Sequence, residues 1–179
     1  TQEKRNRIIE RSMDYLKKAG MVITEAEKRE IEVADFGLNQ VEETGLVVLV
    51  YINSDRYCAK ELVMLPRQTC PEHRHPPLGT LPGKQETFRC RWGEVYLYVP
   101  GEPTPNPRAL PPRGRENTYT VFHEIVLRPG EQYTLKPDTL HWFQAGPMGA
   151  VVSEFSSPSH DESDFFTDPQ IQRITQVGG

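Results

Sequence analysis

The sequence predicts an all-β fold, an antiparallel sandwich or barrel with helices ahead of it. Three observations predict it. From residue 45 onward, short segments rich in β-branched and aromatic residues recur at close spacing. Turn-forming clusters such as Asn53-Ser54-Asp55, Pro129-Gly130 and Lys136-Pro137-Asp138 separate them. Long helical patterns do not alternate with these segments, which argues against a parallel α/β sheet.

The first element is a helix over residues 4–19. Ile8, Ile9, Met13 and Leu16 fall on one stripe with charges elsewhere, and Gly20 supplies the stop. Thr24 with Glu27 three residues on is a capping-box pattern, opening a second short helix that runs to about Ala34. Such helices either cover an open sheet face or form a dimer arm. Strands are then expected at Gly45–Ile52, Tyr57–Leu65, Thr87–Arg91, Val95–Val99, Thr118–Leu127, Gln132–Leu135, His141–Ala145 and Ala150–Phe155. Arg91-Trp92-Gly93 and Gly146–Gly149 read as turns between them. Pro76–Lys84 and Pro100–Arg115 are Pro-rich excursions, read as surface loops. The polar tail carries Asp164-Phe165-Phe166, and its last residues are expected to be loose. The whole, residues 1–179, reads as a single domain: a helical extension over 1–40, a barrel over 45–156 and a tail over 157–179.

With 179 residues, 36% hydrophobic and 26% charged, the chain is long enough for a real core and is not of disordered composition. A net charge of -4, with basic residues scattered, argues against a nucleic-acid partner. No apolar run approaches a membrane span, and no signal-peptide pattern opens the sequence. Cys58, Cys70 and Cys90 form no CxxC pair; an odd count without a secretory signal fits reduced thiols in a cytoplasmic protein.

The chemistry concentrates in Pro71-Glu72-His73-Arg74-His75, then Glu86, then His141. In an extended segment, side chains two apart point the same way, so the imidazoles of His73 and His75 can converge on one ion. Glu86 shares a strand face with Phe88, and His141 with Phe143, so each donor has an apolar companion. Imidazole plus one carboxylate suits Mn, Fe, Zn, Co or Ni without identifying which. His123, beside Glu124 on a strand, reads as structural, and His160 in the polar tail as solvated.

The order His-x-His, Glu86, Gly93 and then His141 behind Pro137, on short antiparallel strands, resembles the cupin pattern. Two departures are visible: the Pro76–Lys84 loop widens the gap before Glu86, and no Gly lies between Pro137 and His141. The blocks Cys70–Pro77, Gly83–Cys90, His141–Gly146 and Phe166–Pro169 are similar to the D-lyxose isomerase family of small cupins, a likeness running from the Thr24 helix through Pro169. That resemblance implies a jelly-roll-like β-barrel, a homodimer, and a Mn2+-dependent ketol-isomerase converting D-lyxose to D-xylulose and D-mannose to D-fructose.

Aldose–ketose interconversion needs a Lewis acid, a base for the carbon-bound proton, and a donor and acceptor at oxygen. Lys60 shares a strand face with Leu62 and Met64, while Glu61 takes the opposite face, so one of the two is expected to point outward. Glu154 ends the apolar strand Ala150–Phe155 on the face of Val152. The resemblance puts acid–base groups at the positions of Lys60 and Glu154; Glu154 is then expected to move the carbon proton through a cis-enediol, with Lys60 donating to the oxygen that gains charge. Lys84 and Asp164 are candidate sugar contacts, and Phe165 with Phe166 a candidate lid over the monosaccharide. Arg89, Tyr96 and Gln144 are further hydroxyl partners, and Trp92 and Trp142 read as core or rim aromatics. The same donor set would also serve an iron-dependent dioxygenase or a non-catalytic sugar-binding module.

Overall fold

A computed structural model describes Thr1–Arg173. The expectation of a loose chain end falls on residues 174–179, which lie outside the described residues. Helix α1 spans Gln2–Lys18, capped by the Thr1 hydroxyl, and Gly20 leaves it with a positive φ of 77°. Its apolar stripe, Ile8, Ile9, Tyr15 and Leu16, is buried in one cluster with Val47, Leu49, Val63 and Val151 of the sheet and with Leu65, just past the strand that ends at Met64. Each such aliphatic side chain contributes about 1.5–3 kcal/mol by leaving water. The helix therefore covers a sheet face.

Helix α2, Glu25–Arg29, has the reciprocal capping box: the Thr24 amide donates to Glu27 Oε2 at 2.8 Å and the Glu27 amide to Thr24 Oγ1 at 3.2 Å. It is shorter than the capping pattern alone predicts. Ile31 and Val33 are buried in the cluster beneath α1, and strand β1, Glu32–Ala34, pairs antiparallel with β2, Leu46–Asn53. Tertiary pairing and alternate burial override the helical start.

The remaining strands are β3 (Cys58–Met64), β4 (Thr69–Arg74), β5 (Glu86–Val99), β6 (His123–Leu127), β7 (Gln132–Leu135), β8 (His141–Ser156) and β9 (Phe165–Phe166). All pair antiparallel, in the order β1-β2-β3-β8-β4-β9, and β5 adds β6, β7 and β8. The sheet curls on itself into the barrel that the sequence predicts, with Leu62, Met64, Cys70, Phe88, Cys90, Leu97, Phe143 and Val152 in its core. All three cysteines are buried and free.

Two expected turns are strand bends instead. Arg91-Trp92-Gly93 lies within β5 and Gly146–Gly149 within β8, and the two strands pair along both limbs with register shifts between. A Cβ on Gly93 would sit 2.1 Å from the Gly149 carbonyl oxygen, and both glycines have positive φ. Close backbone approach and the bend together require glycine here. By bending, β8 pairs with β4 near His141 and with β3 near Glu154, so one strand supplies both ends of the inner chamber. The Pro-rich excursion after β5 packs Ala109, Tyr119 and Val121 around Trp142, which stacks on Tyr98 at 4.0 Å.

Candidate metal centre and active site

His73 lies near the end of β4 directly opposite His141, the first residue of β8. His75 follows one residue past the strand, and Glu86 opens β5. All four side chains are buried. One nitrogen from each of His73, His75 and His141 lies within 4.8 Å of the other two. Glu86 Oε1 stands 3.2 Å from His75 Nε2 and 3.0 Å from His141 Nε2.

The tautomers follow from what the other ring nitrogens touch. His73 Nδ1 meets the Pro71 carbonyl at 2.8 Å, and His141 Nδ1 the Thr139 carbonyl at 2.9 Å. His75 Nδ1 meets Asp164 Oδ1 at 2.5 Å. Carbonyl and carboxylate oxygens accept, so each Nδ1 carries a proton and each ring turns its Nε2 inward. His75 Nε2, His141 Nε2 and Glu86 Oε1 are buried without hydrogen-bond partners. Such convergence of buried polar atoms is unfavourable without a proton or a metal cation between them. Donors about 2.1 Å from one ion, at right angles, lie about 3 Å apart, the spacing of Glu86 Oε1 from His75 Nε2 and His141 Nε2. The three histidines can therefore hold a metal.

Electrostatics agree with a cation site. Burial and then the neighbouring imidazoles push His73 well below the usual histidine range. Burial opposes charge on Glu86, yet Lys84 and His75 hold its carboxyl well below the carboxylate range. Burial likewise opposes charge on His75, but Glu86 and Asp164 outweigh it and lift it to about 9. In the metal-free centre a proton on His75 competes with the ion for the same lone pair.

Beside the histidines lies a second set of charges. Lys84, at the end of the Pro76–Lys84 loop, is buried and reaches Glu86 Oε2 at 2.8 Å and Glu154 Oε1 at 2.9 Å. Burial works against its charge, and Glu154 with Glu86 holds it protonated, well above the usual lysine range. Glu86 thus turns one oxygen to the histidines and the other to Lys84. Lys60 and Glu154 are cross-strand partners on β3 and β8, both lining the same chamber. The Lys60 ammonium is tied elsewhere, however: to Ser159 Oγ at 2.9 Å and to both Asp161 oxygens at 3.1 Å. Its neighbour Glu61 faces the other side of β3 but does not reach solvent either; both residues are buried. The expectation that one of them is exposed fails because the sheet is covered on both faces.

The chain after β8, residues 157–173, crosses the barrel mouth as a strap. Asp164 lines the chamber but is engaged by His75. Phe165, expected against the sugar, is half-exposed and lies under the Arg74 guanidinium on the outer side. Phe166, its neighbour in β9, lines the chamber and stacks on His73 at 5.4 Å. Sequence reasoning missed Asp161 and Arg173. Arg173 reaches Asp161 Oδ2 at 2.9 Å and Glu32 Oε1 at 2.6 Å, and both side chains line the chamber. His123 bonds only the Glu102 carbonyl among its described contacts, and His160 is largely exposed at the mouth.

The inner chamber has a volume of about 40 Å³, bounded by Phe36, Leu62, Phe88 and Phe143 besides the charged groups. An outer cavity of about 160 Å³, lined by the 76–85 loop and by Pro158, His160 and Ser163, adjoins it. His75, Lys84 and Asp164 face both.

Comparison with known proteins gives this site a family. The D-lyxose/D-mannose isomerase of Thermosediminibacter oceani is 66% identical over 95% of this chain and 94% of its own length. The D-lyxose ketol-isomerase of a Thermofilum species is 66% identical over 94% of this chain and 93% of its own. A sequence profile of D-lyxose isomerase matches residues 103–178. The chain belongs to the D-lyxose isomerase family. The barrel is also found in the L-ribose isomerase of Acinetobacter sp. DL28, solved with L-ribose: TM-score 0.81, 18% identity, 96% of this chain and 94% of that one. That likeness establishes the cupin-type fold. Membership of the D-lyxose isomerase family makes the chain a sugar isomerase. Among the described residues no helix is long and apolar enough to cross a membrane.

Proposed function

We propose that this chain interconverts D-lyxose with D-xylulose, and D-mannose with D-fructose, by proton transfer through a cis-enediol. The observation that carries the reading is the junction at Lys84, where one ammonium bridges Glu154 and the carboxylate that faces the three histidines, at 2.9 and 2.8 Å. The names of the relatives at 66% identity support the substrate pair. Lyxose and mannose share their arrangement at C2 and C3, so one reacting end serves both.

His73, His75, His141 and Glu86 are the residues that would hold a divalent cation, with Mn2+ the ion the resemblance favours. When bound, it would supply Lewis acidity at the sugar's carbonyl and adjacent hydroxyl oxygens. The Glu154 carboxylate removes the C2 proton of the aldose, and the freed pair forms the C1–C2 double bond. Lys84, held protonated, donates to O1 as that oxygen gains charge. Glu154 then returns its proton to C1, while the O2 proton passes back to Lys84 as the ketone forms. This reading moves the oxygen-side role from Lys60 to Lys84, because the partners of Lys84 are the proposed base and the carboxylate facing the histidines, whereas those of Lys60 are Ser159 and Asp161. The apolar walls keep competing water from the enediol.

A homodimer is part of the proposal. Ile52, Ala59, Phe155 and Thr87 follow one another across β2, β3, β8 and β5, and Tyr51, Tyr57 and Phe155 are about half exposed, an outer face suited to a second copy. Reduced cysteines, all buried, are in keeping with a cytoplasmic protein. The test of the reaction is isomerisation of D-lyxose in D2O with Mn2+-loaded protein. Deuterium is expected at C1 of xylulose and, on reversal, at C2 of lyxose. Turnover with no solvent label would replace the enediol by a hydride shift, and Fe(II)-dependent O2 uptake without ketose would replace the isomerase by an oxygenase.

A further inference from the structure

The three imidazoles are not held in the same way. His73 and His141 each donate Nδ1–H to a backbone carbonyl two residues earlier in their own chain segment. Those anchors are local and form with the strands. His75 lies past the end of β4 and is followed by Pro76. Its anchor is a side chain 89 residues away in sequence, Asp164 on the strap. Its orientation thus depends on where the strap lies.

The strap is held by the pairing of β9 with β4 and by side chains on either side of it. Asn53 exchanges two hydrogen bonds with the Ser159 backbone, at 2.9 and 3.0 Å. Lys60 holds Asp161, and Arg173 ties Asp161 to Glu32. The Thr167 hydroxyl donates to the buried Glu72 at 2.7 Å. The inner chamber beneath the strap is the smaller of the two spaces, about 40 Å³ against about 160 Å³ for the outer cavity. The outer cavity adjoins the chamber through a wall built from His75, Lys84 and Asp164. A sugar entering from the outer cavity passes that wall, of which the Asp164–His75 contact is part.

We propose that Asp164 is a positioning residue for the metal ligand His75, so that closure of the strap and the grip on the metal are linked. The inference rests on the metal reading of the three histidines. Acceptors behind metal-bound histidines fix the ring and raise its basicity. Here that acceptor is delivered by the segment that closes the chamber. Linkage then requires that whatever favours the closed strap tightens the metal, and the reverse by the same factor.

The test is titration of the metal-free full chain with Mn2+ alone, read as a dissociation constant. Asp164→Ala is expected to weaken binding by about 10- to 100-fold, and Asp164→Asn, which keeps an accepting oxygen, to recover part of the loss. Asp161→Asn, which loosens the strap without touching Asp164 or any histidine, is expected to weaken Mn2+ by more than about threefold. Dissociation constants for Asp164→Ala within about threefold of the parent would overturn the positioning role. Weakening by Asp164→Ala but none by Asp161→Asn would overturn the linkage. Failure of the parent itself to bind Mn2+, with His73→Gln no different, would sink the metal reading on which both stand.

Discussion

The chamber holds two buried lysines that differ in what they answer to. Lys84 is paired with Glu86 and Glu154, residues fixed in the long strands β5 and β8. Lys60 is paired with Ser159 and Asp161, residues of the strap. Both ammoniums are equally shielded, with side chains 5% exposed. Burial alone therefore does not separate a reacting group from a fastening one. The partners do: Lys84 is tied to Glu154, the proposed base, and to Glu86, both on long strands, and Lys60 to the strap.

The largest effects are expected at the Lys84 junction. Glu154→Gln keeps the shape and removes the base, and kcat for lyxose is expected to fall by ~10²–10⁴-fold with the fold intact. Lys84→Met removes the oxygen-side donor and is expected to cost ~10²–10³-fold in kcat. Circular dichroism and melting curves separate these losses from unfolding. A Glu154→Gln variant that retains parental kcat ends the assignment of the base.

Lys60→Met is expected to act differently. Asp161 keeps Arg173, so the strap loses one of two cationic fastenings. The expected result is a KM raised by about tenfold with kcat falling far less than in Lys84→Met, the pattern of lost binding that is uniform along the reaction. If Lys60→Met instead depresses kcat as deeply as Lys84→Met, the two lysines share the chemistry and the division between them collapses.

How much of this was legible in the sequence depends on how local each determinant is. The histidine pair, Glu86 and His141 were readable because strand alternation sets each beside an apolar companion. Glu154 was readable for the same reason. Lys84 was ambiguous because it closes a Pro/Gly-rich loop with no periodicity to say which way it points. Asp161 and Arg173 were invisible. They lie in a polar tail that reads as solvated, and Lys60 meets Asp161 only across 101 residues of chain. The bends at Gly93 and Gly149 were misread as turns because glycine marks either, and only the backbone of the partner strand decides. Helix α2 was overextended because a strong cap says where a helix starts, not where sheet pairing ends it.

A second comparison on the same strand sharpens the first. Glu61, adjacent to Lys60, is as deeply buried, yet its recorded bonds are both to the Ser153 hydroxyl, at 2.9 Å. Burial raises its carboxyl to about 7, against the opposing pull of Ser153 and Arg91. An unfolded glutamate titrates near ~4.3. Below that pH both states are protonated and Glu61 has no effect on stability. As pH rises toward 7 the unfolded state ionises while the folded state keeps its proton, so Glu61 progressively destabilises the fold; above 7 the loss is constant. Discounted for residual solvent screening, that loss is about 2 kcal/mol. Glu61→Gln keeps an acceptor for Ser153 and removes the titration. Its melting temperature is expected to match the parent's near pH 4 and to exceed it by about 5 °C at pH 8. A difference independent of pH would mean that Glu61 is ionised in the fold, as Glu86 and Asp161, both held below the usual carboxylate range, are. The contrast between a paired charge inside and an uncompensated acid outside would then fail.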